Sequence, residues 1–273
     1  MSGRSFLIAL VFLLLVSVPA SSQTVSQAVA TKDPTAVKLL SASVSALANG
    51  TSINDVTLTG TVTRTAGSDV ETGSVTLSAL GGTAGRIDFV LSGGNRSEIV
   101  NQTQGAPAGR WSEPDGTTHP MAPHNCWIPA GWFVPALALA EALNDPSVMV
   151  TYIGQETQDG LVVQHVRFTR LLAAQSGSAT APAAMESLNV ADVYLDASNG
   201  RPVELDFNIH PDDNAAVNLA VEVQYSNYQQ LNGILVPEHI EKLINNSLFL
   251  DMHITSANLN ANLSPSDFAV AAQ

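Results

Sequence analysis

His119, His124 and Cys126 lie within eight residues of one another, and imidazole plus thiolate is a donor set competent for zinc or copper. Their spacing fits no standard metal site, so the expectation is loop histidines beside a buried thiol that acts as a small apolar side chain. Cys126 is the sole cysteine, which excludes an intramolecular disulfide, an iron–sulfur cluster and a four-cysteine zinc site. No Gly-x-Ser-x-Gly elbow occurs, and Gly81-Gly82-Thr83-Ala84-Gly85 reads as a turn, because no Lys-Ser or Lys-Thr follows to hold a phosphate. His210-Pro211-Asp212-Asp213 lacks the ligand ladder of a calcium loop and reads as a solvated turn. The expectation is therefore a protein without catalytic residues, cofactor or bound metal. A second cluster is aromatic. Trp111, Trp127 and Trp132, the chain's three tryptophans, fall in one proline-punctuated stretch with Phe133 beside the last. Rigid rings on an irregular loop suit a flap over an apolar mouth, or a plug in the end of a core.

The elements that must position these rings are legible from periodicity. Arg4, the apolar run Phe6–Val16 and the small residues to Ser22 read as a secretory signal peptide, residues 1–22, which sets the mature chain in the periplasm or outside the cell. No later run is long enough to span a bilayer. Asp33-Pro34, a helical stripe of Val37, Leu40, Val44 and Leu47, and Gly50 predict one opening helix. A period of two follows through Val56, Leu58 and Val62, then Val75 and Leu77, then Ile87, Phe89 and Leu91. Residues 101–147 form a lid-like insert with a short helix over Ala136–Asn144. Strand alternation then resumes, with turns at Asp159-Gly160, Asn199-Gly200, Asn232-Gly233 and Asn245-Asn246. The small, polar stretch 173–188 reads as a flexible loop. Residues 23–273 are expected to form a single domain.

Composition narrows the partners. The chain carries 11 basic against 24 acidic residues, a net charge of −13, so the phosphate-neutralising charge of a nucleic-acid binder is missing. At 45% apolar it has ample material for a core. Ten or eleven hairpin-connected strands at about 4.8 Å each make a sheet about 50 Å wide. Two helices about 10 Å thick cover about 20 Å of that. The sheet is expected to curl and to keep an apolar hollow, a two-sheet sandwich being the competing arrangement.

Gly85–Val100, Val193–Leu205, Val223–Ile240 and Ser264–Val270, taken in order, resemble the periplasmic lipoprotein-carrier (LolA/LolB-like) superfamily. Gly85–Val100 (GRIDFVLSGGNRSEIV) is similar to its strand, turn and basic strand, and the resemblance would make Arg96 the cavity-side arginine. Val193–Leu205, Val223–Ile240 and the closing Ser264–Val270 follow the superfamily's order of hairpin, aromatic strand, glycine turn with proline, and terminal Phe motif. The fold this implies is mainly β (α+β), a strongly curved antiparallel sheet forming an unclosed barrel, with an N-terminal helix and a helical and loop lid over an apolar cavity. The function it implies is an extracytoplasmic carrier or chaperone that binds a lipid, a lipoprotein acyl chain or another hydrophobic ligand. Phe89, Leu91, Arg96, Trp111, Trp127, Trp132 and Phe133 are the expected lining. The alternative is a non-enzymatic envelope scaffold with a self-filled cavity and an envelope protein as partner.

Overall fold

A computed structural model describes residues 30–103, 107–171 and 189–270; the expected signal peptide and the expected flexible loop 173–188 lie outside the described residues. Asp33 opens α1 (Pro34–Ala48) by accepting hydrogen bonds from the Thr35 and Ala36 amides at 2.8 and 3.0 Å, and Asn49 closes it in the left-handed region. Four hairpins follow in series: β1 (Asp55–Ala66), β2 (Asp69–Leu80), β3 (Ala84–Leu91), β4 (Gly94–Asn101) and β5 (Ala108–Ser112) each pair antiparallel with the next. β6 (Thr118–Met121), a 3₁₀ turn (Pro123–Trp127) and α2 (Pro135–Asn144) complete the insert. The second run comprises β7 (Val148–Gln158), β8 (Leu161–Arg170), β9 (Val190–Asp196), β10 (Pro202–Ile209), β11 (Leu219–Leu231), β12 (Ile234–Ile244) and β13 (Ser247–Leu259).

β13 returns to pair with β1, which joins the two runs into one antiparallel sheet of 13 strands in the order β6-β5-β4-β3-β2-β1-β13-β12-β11-β10-β9-β8-β7. Thirteen strands exceed the expected ten or eleven, and β5 and β6, inside the insert, are among those not expected. β6 tolerates Pro120 because it is an edge strand. β6 and β7 are the free edges, so the barrel is unclosed. The β7 edge is covered: Val150 donates to the Thr31 carbonyl at 3.1 Å and accepts from the Asp33 amide at 2.8 Å.

Period-two alternation places Val56, Leu58, Val75, Leu77, Ile87, Phe89, Val193, Leu205, Phe207, Val221, Val223, Ile240, Leu250 and Met252 on one inner face, buried in a single cluster with the apolar faces of both helices. α1 contributes Ala36, Leu40 and Leu47, and α2 contributes Ala136, Leu137, Leu139 and Ala142. The insert adds Ile128, Trp132, Phe133 and Val134 to the same cluster. The hollow expected from strand width is therefore occupied by the chain's own insert. Counting only two helices as cover overlooked the apolar loop that runs between β6 and β7.

Candidate functional site

The insert lies on the inner face through close contacts that two glycines permit. A Cβ on Gly85 would stand 1.9 Å from the Ala130 carbonyl oxygen, and one on Gly82 would stand 2.2 Å from Glu141 Cβ. The glycine run that reads as a turn is thus also the seat of the lid. Hydrogen bonds fix it further. Gln102 Nε2 donates to the carbonyls of Cys126 and Ile128 at 2.7 and 2.6 Å, and Asn125 exchanges two bonds with the His210 backbone at 2.7 and 2.8 Å. Asp212 accepts from the Ala122 amide at 2.8 Å, so the acidic turn after β10 anchors the insert. Lys32 Nζ donates to the Ala142 carbonyl at 3.0 Å and to that of Leu143, capping the end of α2.

Beneath α2, where the insert meets β7–β9, a small pocket of about 40 Å³ remains, room for a few waters and far too little for a hydrocarbon chain. Trp127, Ile128, Phe168, Ala191 and Phe207 form much of its apolar wall, with Gln102, Glu141 and Arg170 among its polar groups. Arg170 ties the two sides of the opening together. It pairs with Asp145, donates to Ser147 Oγ at 3.2 Å and to Gln102 Oε1 at 3.5 Å, and lies 5.5 Å from the Trp127 ring centre. Burial, the largest cause, pushes the Glu141 carboxyl above its ordinary range, and Asp145 adds to the shift.

The rings expected to act together sit in three places. Trp132 is 2% exposed and Phe133 fully buried, their planes at 80° with centres 5.5 Å apart. Tyr225 Oη on the sheet floor donates to the Trp132 carbonyl at 2.6 Å, and Lys242 Nζ stands 4.9 Å from the Trp132 ring centre. This pair plugs the interior together with Phe89 and Leu91. Trp127 sits at the pocket. Trp111 lies apart on β5, stacked on His119 of β6 with ring centres 4.2 Å apart. Arg96 lies opposite Phe89 in the β3–β4 register and so shares the inner face. It is met there by Glu71 at 3.1 Å and Glu113 at 3.5 Å, and Glu71 also binds Arg64 at 3.0 Å.

The His119, His124 and Cys126 trio is dispersed. His124 packs edge-on against His210, with ring centres 5.4 Å apart, while Cys126 is fully buried and its thiol is pushed up to about 12, chiefly by burial. An acidic cluster lies on the outer face of β10 and β11. Glu204 and Asp206 share that face of β10, Glu222 lies opposite Asp206, and burial followed by mutual repulsion raises both β10 carboxyls well above their ordinary range. Gln158 donates to Glu204 at 2.5 Å.

Comparison with solved structures identifies the architecture. An outer membrane lipoprotein-sorting protein domain from Vibrio parahaemolyticus superposes with a TM-score of 0.52 at 14% identity, over 85% of this chain and 97% of that one. The LolA superfamily protein NE2245 from Nitrosomonas europaea gives 0.52 at 11% identity, over 86% and 97%. The fold is LolA-like. A DUF1329 family protein from Desulfovibrio piger shares it, with a TM-score of 0.51 at 13% identity over 86% of this chain and 97% of that one. No protein-family profile matches the chain, and no curated protein sequence matches it. Among the described residues, no helix is long and apolar enough to cross a membrane.

Proposed function

We propose that this chain is a non-enzymatic extracytoplasmic carrier or chaperone that takes up a lipid, a lipoprotein acyl chain or another hydrophobic ligand on the inner face of its sheet, with the insert as a displaceable place-holder. The observation that carries this reading is the seating of Ile128–Asn144. An apolar segment, tethered at both ends to the free edges of a LolA-like sheet, lies where a ligand would lie. It rests there on glycine contacts and hydrogen bonds and leaves an apolar pocket beneath α2.

The energies make exchange feasible. About 15 buried methylenes at about 0.8 kcal/mol each contribute about 12 kcal/mol. Re-exposing Trp132, Phe133, Leu137 and Leu139 at about 1.5–3 kcal/mol each costs about 6–12 kcal/mol. The two are of similar size, so a ligand can replace the insert without either state being locked. Phe89 and Leu91 on the vacated inner face and Trp127 at the pocket are the proposed contacts to hydrocarbon, and Trp132 and Phe133 are the plug that the ligand displaces. Arg96 and Trp111 are the proposed contacts to a polar head. The setting is periplasmic or secreted, and an envelope protein is the proposed donor or recipient.

A second reading is favoured by the filled interior itself: a scaffold whose insert never leaves and whose partner is an envelope protein. One experiment separates the two. The mature chain is purified, extracted with organic solvent and the extract weighed by mass spectrometry, while the protein is titrated with a fluorescent fatty acid. Co-purified lipid or saturable probe binding supports the carrier; an empty extract with no probe binding, in the native protein and in Gly82→Ala alike, overturns it.

A further inference from the structure

We infer that His239, Asp251 and His253 form a binding site for a divalent first-row metal ion, of the zinc or copper(II) class, on the outer face of the sheet. β12 and β13 pair so that His239 lies opposite His253 and Glu241 opposite Asp251, four side chains in a two-by-two block on one face. The imidazole planes are parallel to within 3° with centres 4.5 Å apart. Both rings turn Nε2 toward the same Asp251 oxygen, at 2.9 Å from His239 and 3.4 Å from His253. One candidate donor atom from each of the three lies within 4.8 Å of the others. Two ligands on one zinc ion stand about 3.3 Å apart at bond lengths near 2.0–2.1 Å, so small side-chain rotations suffice to close the site.

Neighbouring strands support the geometry. Ser226 Oγ on β11 lies 3.2 Å from His239 Nδ1, and a serine that accepts the Nδ1 proton leaves the Nε2 lone pair free for a metal. Ile240 and Met252 alternate with these positions and are buried on the opposite face. Imidazole with carboxylate selects zinc, copper or nickel over calcium and magnesium. His253 is 53% exposed on its side chain, so solvent reaches the remaining coordination positions, and Glu241 stands beside them. This site is independent of the carrier function, and it departs from the expectation of no bound metal because His239 and His253 belong to different strands.

The test uses the untagged mature chain, stripped with a chelator and titrated with Zn²⁺ against a chromophoric competitor, then with Cu²⁺ under electron paramagnetic resonance. The expected result is one equivalent of either ion, with two nitrogen ligands in the copper spectrum. His239→Ala/His253→Ala should abolish uptake, and Asp251→Asn and Ser226→Ala should each weaken it about 10-fold or more. His119→Ala/His124→Ala should bind as the native protein does. Circular dichroism checks the fold, and His253→Gln replaces the double variant if that one fails to fold. Absence of stoichiometric uptake by the native chain, or native-like uptake in the histidine variants, overturns the site.

Discussion

Replacing Trp132 with alanine separates an insert that is a plug from one that is a loose flap. The indole is 2% exposed, packs edge-on against Phe133 and lies 4.9 Å from Lys242 Nζ. Truncating a buried tryptophan costs about 3–5 kcal/mol. The lost ring pair and cation contact, about 1 kcal/mol each, put this site at the upper end. At about 2–4 °C per kcal/mol for a chain of this size, Tm should fall by about 10–15 °C, with a parallel drop in the urea midpoint. Ligand binding should move the other way. The carrier reading requires the insert to vacate the inner face, and removing its largest anchor saves about 1.5–3 kcal/mol of that step, so a fluorescent fatty acid should bind about 10- to 100-fold more tightly. A rim flap, by contrast, would lose affinity on truncation. A stability loss below about 1 kcal/mol would refute the packed plug, and unchanged or weaker probe binding by folded Trp132→Ala would refute the place-holder.

Gly82→Ala and Gly85→Ala should each cost about 1–3 kcal/mol by pushing α2 and Ala130 off the sheet, measured by urea unfolding, while the sheet's circular dichroism stays intact. Cys126 reports on the same movement. Its buried thiol, raised to about 12, should react with a disulfide reagent orders of magnitude more slowly than in the unfolded chain, and saturating hydrophobic ligand should accelerate the reaction. The Glu204 and Asp206 carboxyls hold protons in the folded state that the unfolded chain releases above about pH 4. Their contribution to stability is therefore fully present below about pH 4 and is lost progressively as pH rises from there through their raised folded-state range. Asp206→Asn should gain stability relative to the native chain at pH 8 more than at pH 5, and an equal difference at both would refute the raised carboxyl.

Local signals wrote much of the fold into the sequence. Asp33-Pro34 caps α1 as its residue types dictate, and Asp159-Gly160 and Asn232-Gly233 make hairpins because both residues of each take positive φ. β5 and β6 escaped notice because they are five and four residues long, β5 lying between Pro107 and Pro114 and β6 containing Pro120, which its edge position tolerates. The sequence left flap and plug as equal alternatives for the insert, because Ile128, Trp132, Phe133 and Val134 have no regular period that would mark them as core. Gly82 and Gly85 read as turn residues, since their role is set by what lies above them. The histidine pair was hidden by one residue. The turn at Asn245-Asn246 starts the hairpin with Leu243 opposite Leu248, but a bulge then sets Lys242 opposite Leu250, and only that shift brings His239 against His253.

The segment that fills the interior is also the stretch of chain that leads directly from one free edge of the sheet to the other. It cannot depart like a dissociating inhibitor; it can only pivot about anchors near Ala122 and Ser147, and its local concentration at the inner face never falls. A competing guest must therefore win against an intramolecular rival whose strength is set by loop length and by two glycines. Lengthening or trimming residues 122–147 should retune the affinity for guests while every strand register stays as it is.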